Sequence, residues 1–221
     1  MVNKHQKVSL SDFADRLCAD SLAQPLGKVE RKFVHSMLKG ISVSRSVNLT
    51  EIARGLDESI SLHATHKRLS RNLYDVELVN NISDRLLKIG SENVSGQTRL
   101  IVHVSELHKK FARKIEFLPS AEESASAGFK VCEIIASEPE SKTYFPLLTH
   151  VWSHEVPGFV SDAVEVFNSV KKVLAATSNR GIIFLDNRSI PRDTCEMIFA
   201  DRGINYMIMI DDHDMPVRVR N

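Results

Sequence analysis

A candidate catalytic acid, Asp186, closes the apolar run 181–186 (GIIFLD) and is followed by the polar turn Asn187-Arg188-Ser189. A carboxylate at the carboxyl end of a strand reaches over the sheet edge, where open α/β sheets bind metal ions and substrates. The competing role is an Asp that caps the next turn or helix, and spacing alone favours the cap. The strand expected beside it, 99–107 (RLIVHVSEL), brings His103 and Glu106. A two-metal phosphoryl-transfer site needs a second carboxylate on that strand. Mg²⁺ prefers oxygen donors, so an imidazole is a poor replacement. Glu106 lies three residues along and faces the other way on an unbroken strand.

A second chemistry is carried by cations. The segment 48–56 (NLTEIARGL), a short turn and 64–73 (ATHKRLSRNL) resemble a helix-turn-helix. Thr65, His66, Lys67, Arg68 and Arg71 are expected along the outer side of its second helix, with Leu69 and Leu73 inward. Lys and Arg there neutralise phosphates, and Arg reaches guanine O6 and N7 in the major groove. On these residues alone, a solvated basic face of a core helix is the stronger reading. His150 and His154 have the i, i+4 spacing of a helical metal pair, but they fall at a strand end and read as loop residues. Trp152 reads as a core or interface anchor. Cys18, Cys132 and Cys195 are far apart, form no C-x-x-C pair and read as reduced thiols. Asp211, Asp212 and Asp214 read as a solvated tail.

The elements that must position these residues differ between the two ends of the chain. Residues 1–99 hold 15 Lys+Arg against 11 Asp+Glu, and residues 100–221 hold 14 against 17. The basic excess is concentrated in 28–73, with nine against four, as a polyanion-binding module would have. Helical periodicity dominates the first part. One helix carries Leu10, Phe13, Leu17 and Leu22 behind Ser9 or Ser11, and another covers about 28–43 with Val29, Phe33, Leu38 and Ile41 on its apolar side. A third starts after Asn48. A fourth holds Leu69 and Leu73 and continues past Asp75 to Ile89. The polar stretch 90–97 (GSENVSGQ) makes the domain boundary, giving domains 1–95 and 96–221. Beyond it, strands at 99–107, 129–137 and 144–153 precede a helix at 161–177, a strand at 181–186, a helix at 191–203 and a strand at 204–210. That order, β-β-β-α-β-α-β, is a mixed α/β layer. At 43% hydrophobic and 26% charged residues, the chain can bury a core, which excludes a disordered or disulfide-dense protein. No apolar run approaches the ~20 residues of a membrane span, and the start of the chain lacks the apolar core of a signal peptide.

Five segments in order carry a resemblance: 99–110 (RLIVHVSELHKK), 128–137 (GFKVCEIIAS), 146–167 (PLLTHVWSHEVPGFVSDAVEVF), 181–193 (GIIFLDNRSIPRD) and the helical 48–73. Together they resemble bacterial insertion-sequence transposases of the DDE class, the cut-and-paste enzymes with an RNase H-like core. The resemblance implies an all-α DNA-binding domain followed by an incomplete RNase H-like mixed-sheet core. It also implies Mg²⁺ held by three acids. Asp186 matches the second acid and is the retained catalytic and metal residue. His103, in His103-Val104-Ser105-Glu106, stands where the first acid belongs. The third acid lies on a helix beyond the fifth strand, for which the sequence to Asn221 leaves no room.

The function expected on this basis is a transposase-derived DNA-binding protein that recognises transposon-end DNA and does not cut strands, Mg²⁺ not being productively held. With the resemblance, DNA contact becomes the preferred reading of Thr65, His66, Lys67, Arg68 and Arg71. Two alternatives stand beside it: an active Mg²⁺-dependent DDE transposase or nuclease fragment, and a protein-interaction inhibitor of full-length transposase. The expected partners are double-stranded DNA and a second copy or a full-length transposase, with no membrane, in the bacterial cytoplasm. The last strand (INYMIMI) is expected to expose apolar surface that favours self-association.

Overall fold

The computed structural model describes residues 9–22, 24–108, 115–118, 128–138, 143–186 and 189–209. These form seven helices and five strands, divided into two compact units, Met1–Arg85 and Leu86–Asn221. No helix among the described residues is long and apolar enough to cross a membrane.

Within the described residues the first unit is entirely helical: α1 (Leu10–Leu17), α2 (Lys28–Ser44), α3 (Leu49–Leu56), α4 (Leu62–Leu73) and most of α5 (Val76–Ser91). Ser9 opens α1 through a capping box, its hydroxyl accepting from Asp12 N at 3.0 Å while the Asp12 carboxylate accepts from Ser9 N at 3.2 Å. The helix ends at Leu17 and does not reach Leu22. Arg85, with none of its surface exposed, closes that end. Its guanidinium donates to the carbonyls of Leu17 (3.0 Å), Ala19 (2.8 Å) and Gln24, and its Nε to Asn81 Oδ1 (2.8 Å). These carbonyls have no partner within a helix, so the arginine does the work of a C-cap. α2 packs against α3 at Gly40, where a Cβ would stand 2.5 Å from Ile52 Cγ2 and 3.0 Å from Ile52 O. Only glycine permits so close a crossing.

The helix expected to run from His66 to Ile89 breaks at Tyr74-Asp75, although no proline or glycine marks the place. Asp75 accepts from Leu78 N at 3.1 Å and so starts α5 as its cap. The division into units falls inside α5, between Arg85 and Leu86, rather than in the polar stretch 90–97. The cause is packing, since Leu87 and Val94 belong to the core of the second unit.

That core is built on a five-stranded sheet of order β3-β2-β1-β4-β5. Its strands are β1 (Arg99–Leu107), β2 (Phe129–Ser137), β3 (Tyr144–Trp152), β4 (Ile182–Asp186) and β5 (Tyr206–Met209). β1, β2 and β3 form an antiparallel meander, whereas β4 joins β1 and β5 joins β4, both in parallel, through α6 (Asp162–Ala176) and α7 (Arg192–Ala200). Leu100, Val102, Cys132, Ile134, Ile183 and Leu185 point to one face, against Val166, Val170 and Val173 of α6 and Ile198 of α7. In β3 the register slips by one residue opposite Ile134/Ile135, which leaves Leu147 unpaired in the ladder. This bulge lets the consecutive Leu147 and Leu148 both turn inward, against the two-residue alternation of a regular strand.

Candidate functional site

The α3–α4 pair is fixed at each joint by a named cap. Asn48 Oδ1 accepts from Thr50 N (2.9 Å) and Glu51 N (3.4 Å) to begin α3. Asp57, at φ 47°, turns the chain out of α3 in the left-handed conformation, and Ser61 Oγ accepts from Ala64 N (3.2 Å) to begin α4. Ile52, Ala53 and Leu56 of α3 and Leu69 of α4 are buried. α2 packs against both helices.

Between the two helices sits a carboxylate that the sequence did not single out. Glu58 accepts from Thr65 Oγ1 at 3.0 Å and takes both of its oxygens to one Arg68 terminal nitrogen, at 2.8 and 2.9 Å. Burial by itself raises the Glu58 carboxyl, but the Arg68 hydrogen bonds and then the Thr65 hydroxyl outweigh it and hold the group below its ordinary value. The expected contact residues therefore divide. Thr65, at 1% exposure, faces inward, and Arg68 is half-buried with its guanidinium engaged. His66 is half-buried, while Lys67 and Arg71 are exposed and form no ion pair among the described residues. Leu73, expected inside, is 45% exposed. At 3.6 residues per turn, Lys67 and Arg71 share the outward face with His63 and Tyr74, both exposed. Lys67, Arg68 and Arg71 also line a groove of about 470 Å³ with Val29, Ala64, Asn72 and Asp75. Val29, assigned to the apolar side of α2, is instead 68% exposed on that groove.

The sheet brings together His103, in the middle of β1, and Asp186, at the end of β4. The parallel register pairs Val102 with Leu185, so the next residues, His103 and Asp186, lie side by side on β1 and β4. His103 is also opposite Glu133 of β2. Because Val102 and Leu185 point into the core, His103 and Asp186 share the opposite face of the sheet. β4 stops there: the Asp186 carbonyl accepts from Ser189 N (3.0 Å) and Ile190 N (3.1 Å), and residues 187 and 188 lie outside the described residues. Glu106 is not part of this row. β1 stays regular to Leu107, and the Glu106 carboxylate is held by Lys130 and by His108 Nε2 at 2.9 Å.

A pair of Mg²⁺ ions bridged for phosphoryl transfer requires several carboxylate oxygens directed at one point. Asp186 beside an imidazole, with Glu133 on the far side of that imidazole, is not such a donor set. Among the described residues no three His, Cys, Asp or Glu side chains converge as a metal ion needs. The described residues around Asp186 do not fit a two-metal centre.

The remaining candidates have structural partners. His150 Nε2 meets Glu165 Oε2 at 2.8 Å, and its ring stacks on Trp152 with centroids 5.5 Å apart. Asp162 Oδ1 accepts from Trp152 Nε1 at 2.8 Å and meets His154 Nε2 at the same distance, so both histidines tie the end of β3 to the start of α6. All three cysteines are buried and free. Burial pushes the Cys132 thiol up to about 11. Asp211, Asp212 and Asp214 lie outside the described residues. No protein-family model matches the chain, and no curated protein matches it.

Proposed function

We propose that the chain is a DNA-binding protein derived from a DDE-class transposase, and that its sheet unit is an RNase H-like core that does not cut strands. The observation that carries the reading is the outward pair Lys67 and Arg71, one turn apart on the second helix of a capped helix pair and unpaired with any carboxylate among the described residues. A helix so presented suits the major groove, with the cations on phosphates or guanine edges. A three-strand meander extended in parallel through two helical crossovers is compatible with an RNase H-like core. His103 in place of an acid beside Asp186 supports the absence of cutting.

Equilibrium binding to transposon-end duplex and to scrambled duplex, across a salt series, tests this. The expected result is preference for the end sequence and a steep negative salt dependence, reduced by ~0.9 in log–log slope for each phosphate contact removed by Lys67→Ala or Arg71→Ala. Equal, weak and salt-insensitive binding to both duplexes refutes it. Mg²⁺-dependent nicking of plasmid that disappears in Asp186→Ala would instead establish an active nuclease. Association with a second copy or with a full-length transposase is part of the same proposal. It is supported by exposed Tyr144 and Val151 on the edge strand β3 and Met207 on β5. Sedimentation that stays monomeric at raised concentration, with or without such a transposase, would remove that part.

A further inference from the structure

We infer that Glu58 is a positioning residue that withdraws Arg68 from the DNA-contacting set and fixes α4 so that Lys67 and Arg71 alone of its cations face the duplex. The inference rests on the DNA-binding reading above. Sequence spacing groups Lys67, Arg68 and Arg71 as equivalent cations, yet the structure separates them. Arg68 gives a terminal nitrogen to both Glu58 oxygens, and its Nε is buried without a partner. The guanidinium is therefore tied to Glu58, with 24% of the side chain still exposed on the groove that it shares with Lys67 and Arg71. Thr65 reaches the same carboxylate from one turn earlier. A single acidic side chain on the α3–α4 link thus grips α4 at two points on its inner side and sets its rotation about its own axis. Lys67 projects away from those points, and Arg71 lies one turn beyond Arg68 on the groove that all three cations line.

The binding free energy of a released arginine would be sequence-independent, because a flexible cation meets phosphate on any duplex. Glu58 consequently favours specificity over bulk affinity.

The test compares Glu58→Gln, Arg68→Met and Lys67→Ala in the full chain by the salt dependence of binding to end-sequence and scrambled duplex. Arg68→Met is expected to leave the log–log slope unchanged, whereas Lys67→Ala lowers it by ~0.9. Glu58→Gln, which keeps an acceptor for Thr65, is expected to steepen the slope by ~0.9 as Arg68 is freed, and to lower the end-to-scrambled affinity ratio. A role in stability alone would shift Tm and move neither quantity. Loss of one contact's slope in Arg68→Met, or an unchanged slope and ratio in Glu58→Gln, overturns the inference while the DNA-binding reading stands. A wild-type chain that binds neither duplex overturns both. If Arg68→Met does not fold, the Glu58→Gln slope decides.

Discussion

Replacing Arg85 by methionine removes donors from three backbone carbonyls at and after the end of α1, of which Ala19 O keeps Leu22 N (3.2 Å) and Gln24 O keeps Asn81 Nδ2 (3.2 Å). Leu17 O, bonded at 3.0 Å, is buried with its partner, while Ala19 O and Gln24 O are partly buried. An orphaned buried carbonyl costs about 1–3 kcal/mol and a water-accessible one much less. One orphaned buried carbonyl, beside two that keep a second donor, places the change at about 1–3 kcal/mol. Methionine fills much of the arginine's volume, so the cavity contribution is small and the measurement isolates the hydrogen bonds. Urea unfolding followed by far-ultraviolet circular dichroism should show a lower midpoint with an unchanged slope. A second readout is Cys18, 2% exposed and next to Leu17, whose modification by a thiol reagent should accelerate as the end of α1 loosens. Arg85→Lys should fall between wild type and Arg85→Met, since an ammonium offers three donors but not the fork that spans four acceptors. Unchanged or increased stability in Arg85→Met would refute the reasoning. It would mean that burying the cation costs as much as its hydrogen bonds return.

Three further outcomes are expected. Gly40→Ala should destabilise by about 1–3 kcal/mol, because the new methyl overlaps Ile52 and forces α2 and α3 apart; thermal unfolding measures the loss, and no loss would mean that the helices separate freely. The Glu58 carboxyl, held below its ordinary value in the fold, contributes stability that is fully present above its unfolded pKa and disappears as the pH falls through the folded one. Wild type should therefore lose stability on acidification below about pH 4.3 more steeply than Glu58→Gln, and parallel acid limbs would contradict this assignment. Native protein should react slowly with Ellman's reagent at all three cysteines and rapidly once unfolded, because burial shields each thiol and raises its pKa. Rapid reaction of any one in the native state would show that its surroundings open.

The sheet was largely legible because its signals are local. The run 99–107 and the alternation in 129–137 each mark one strand, and Pro191 and Gly203 bracket α7. Asn48 announced α3 for the same reason, since a cap acts within three residues. The failures involve contacts that span elements. Thr65 lies on the helical pattern like any polar residue, and only Glu58, seven positions away, brings it inside. Arg68 is indistinguishable from Lys67 and Arg71 by spacing, and a bidentate partner on a preceding turn is invisible to a periodicity argument. Asp75 divides α4 from α5 without a proline or glycine to signal it. Leu147 and Leu148 break strand alternation through a bulge in β3 that shows only in its register against β2. The neighbourhood of His103 and Asp186 follows from strand order, which becomes readable only once the chain is placed in a sheet.

The strand order also has a consequence for how the chain is made. β1 pairs on one side with β2, which follows it closely, and on the other with β4, about 80 residues later, on the order of 4–16 s of synthesis at ~5–20 residues per second. Over the last ~30 residues of that interval, on the order of 1.5–6 s after Trp152 completes β3, the meander exists with β1 as an open edge, its backbone donors and acceptors unanswered and Leu100 and Val102 lacking the cover of Ile183 and Leu185. The central strand of the finished sheet is thus the exposed edge of the nascent one, and slowing translation before β4 should raise the fraction of chain lost to aggregation.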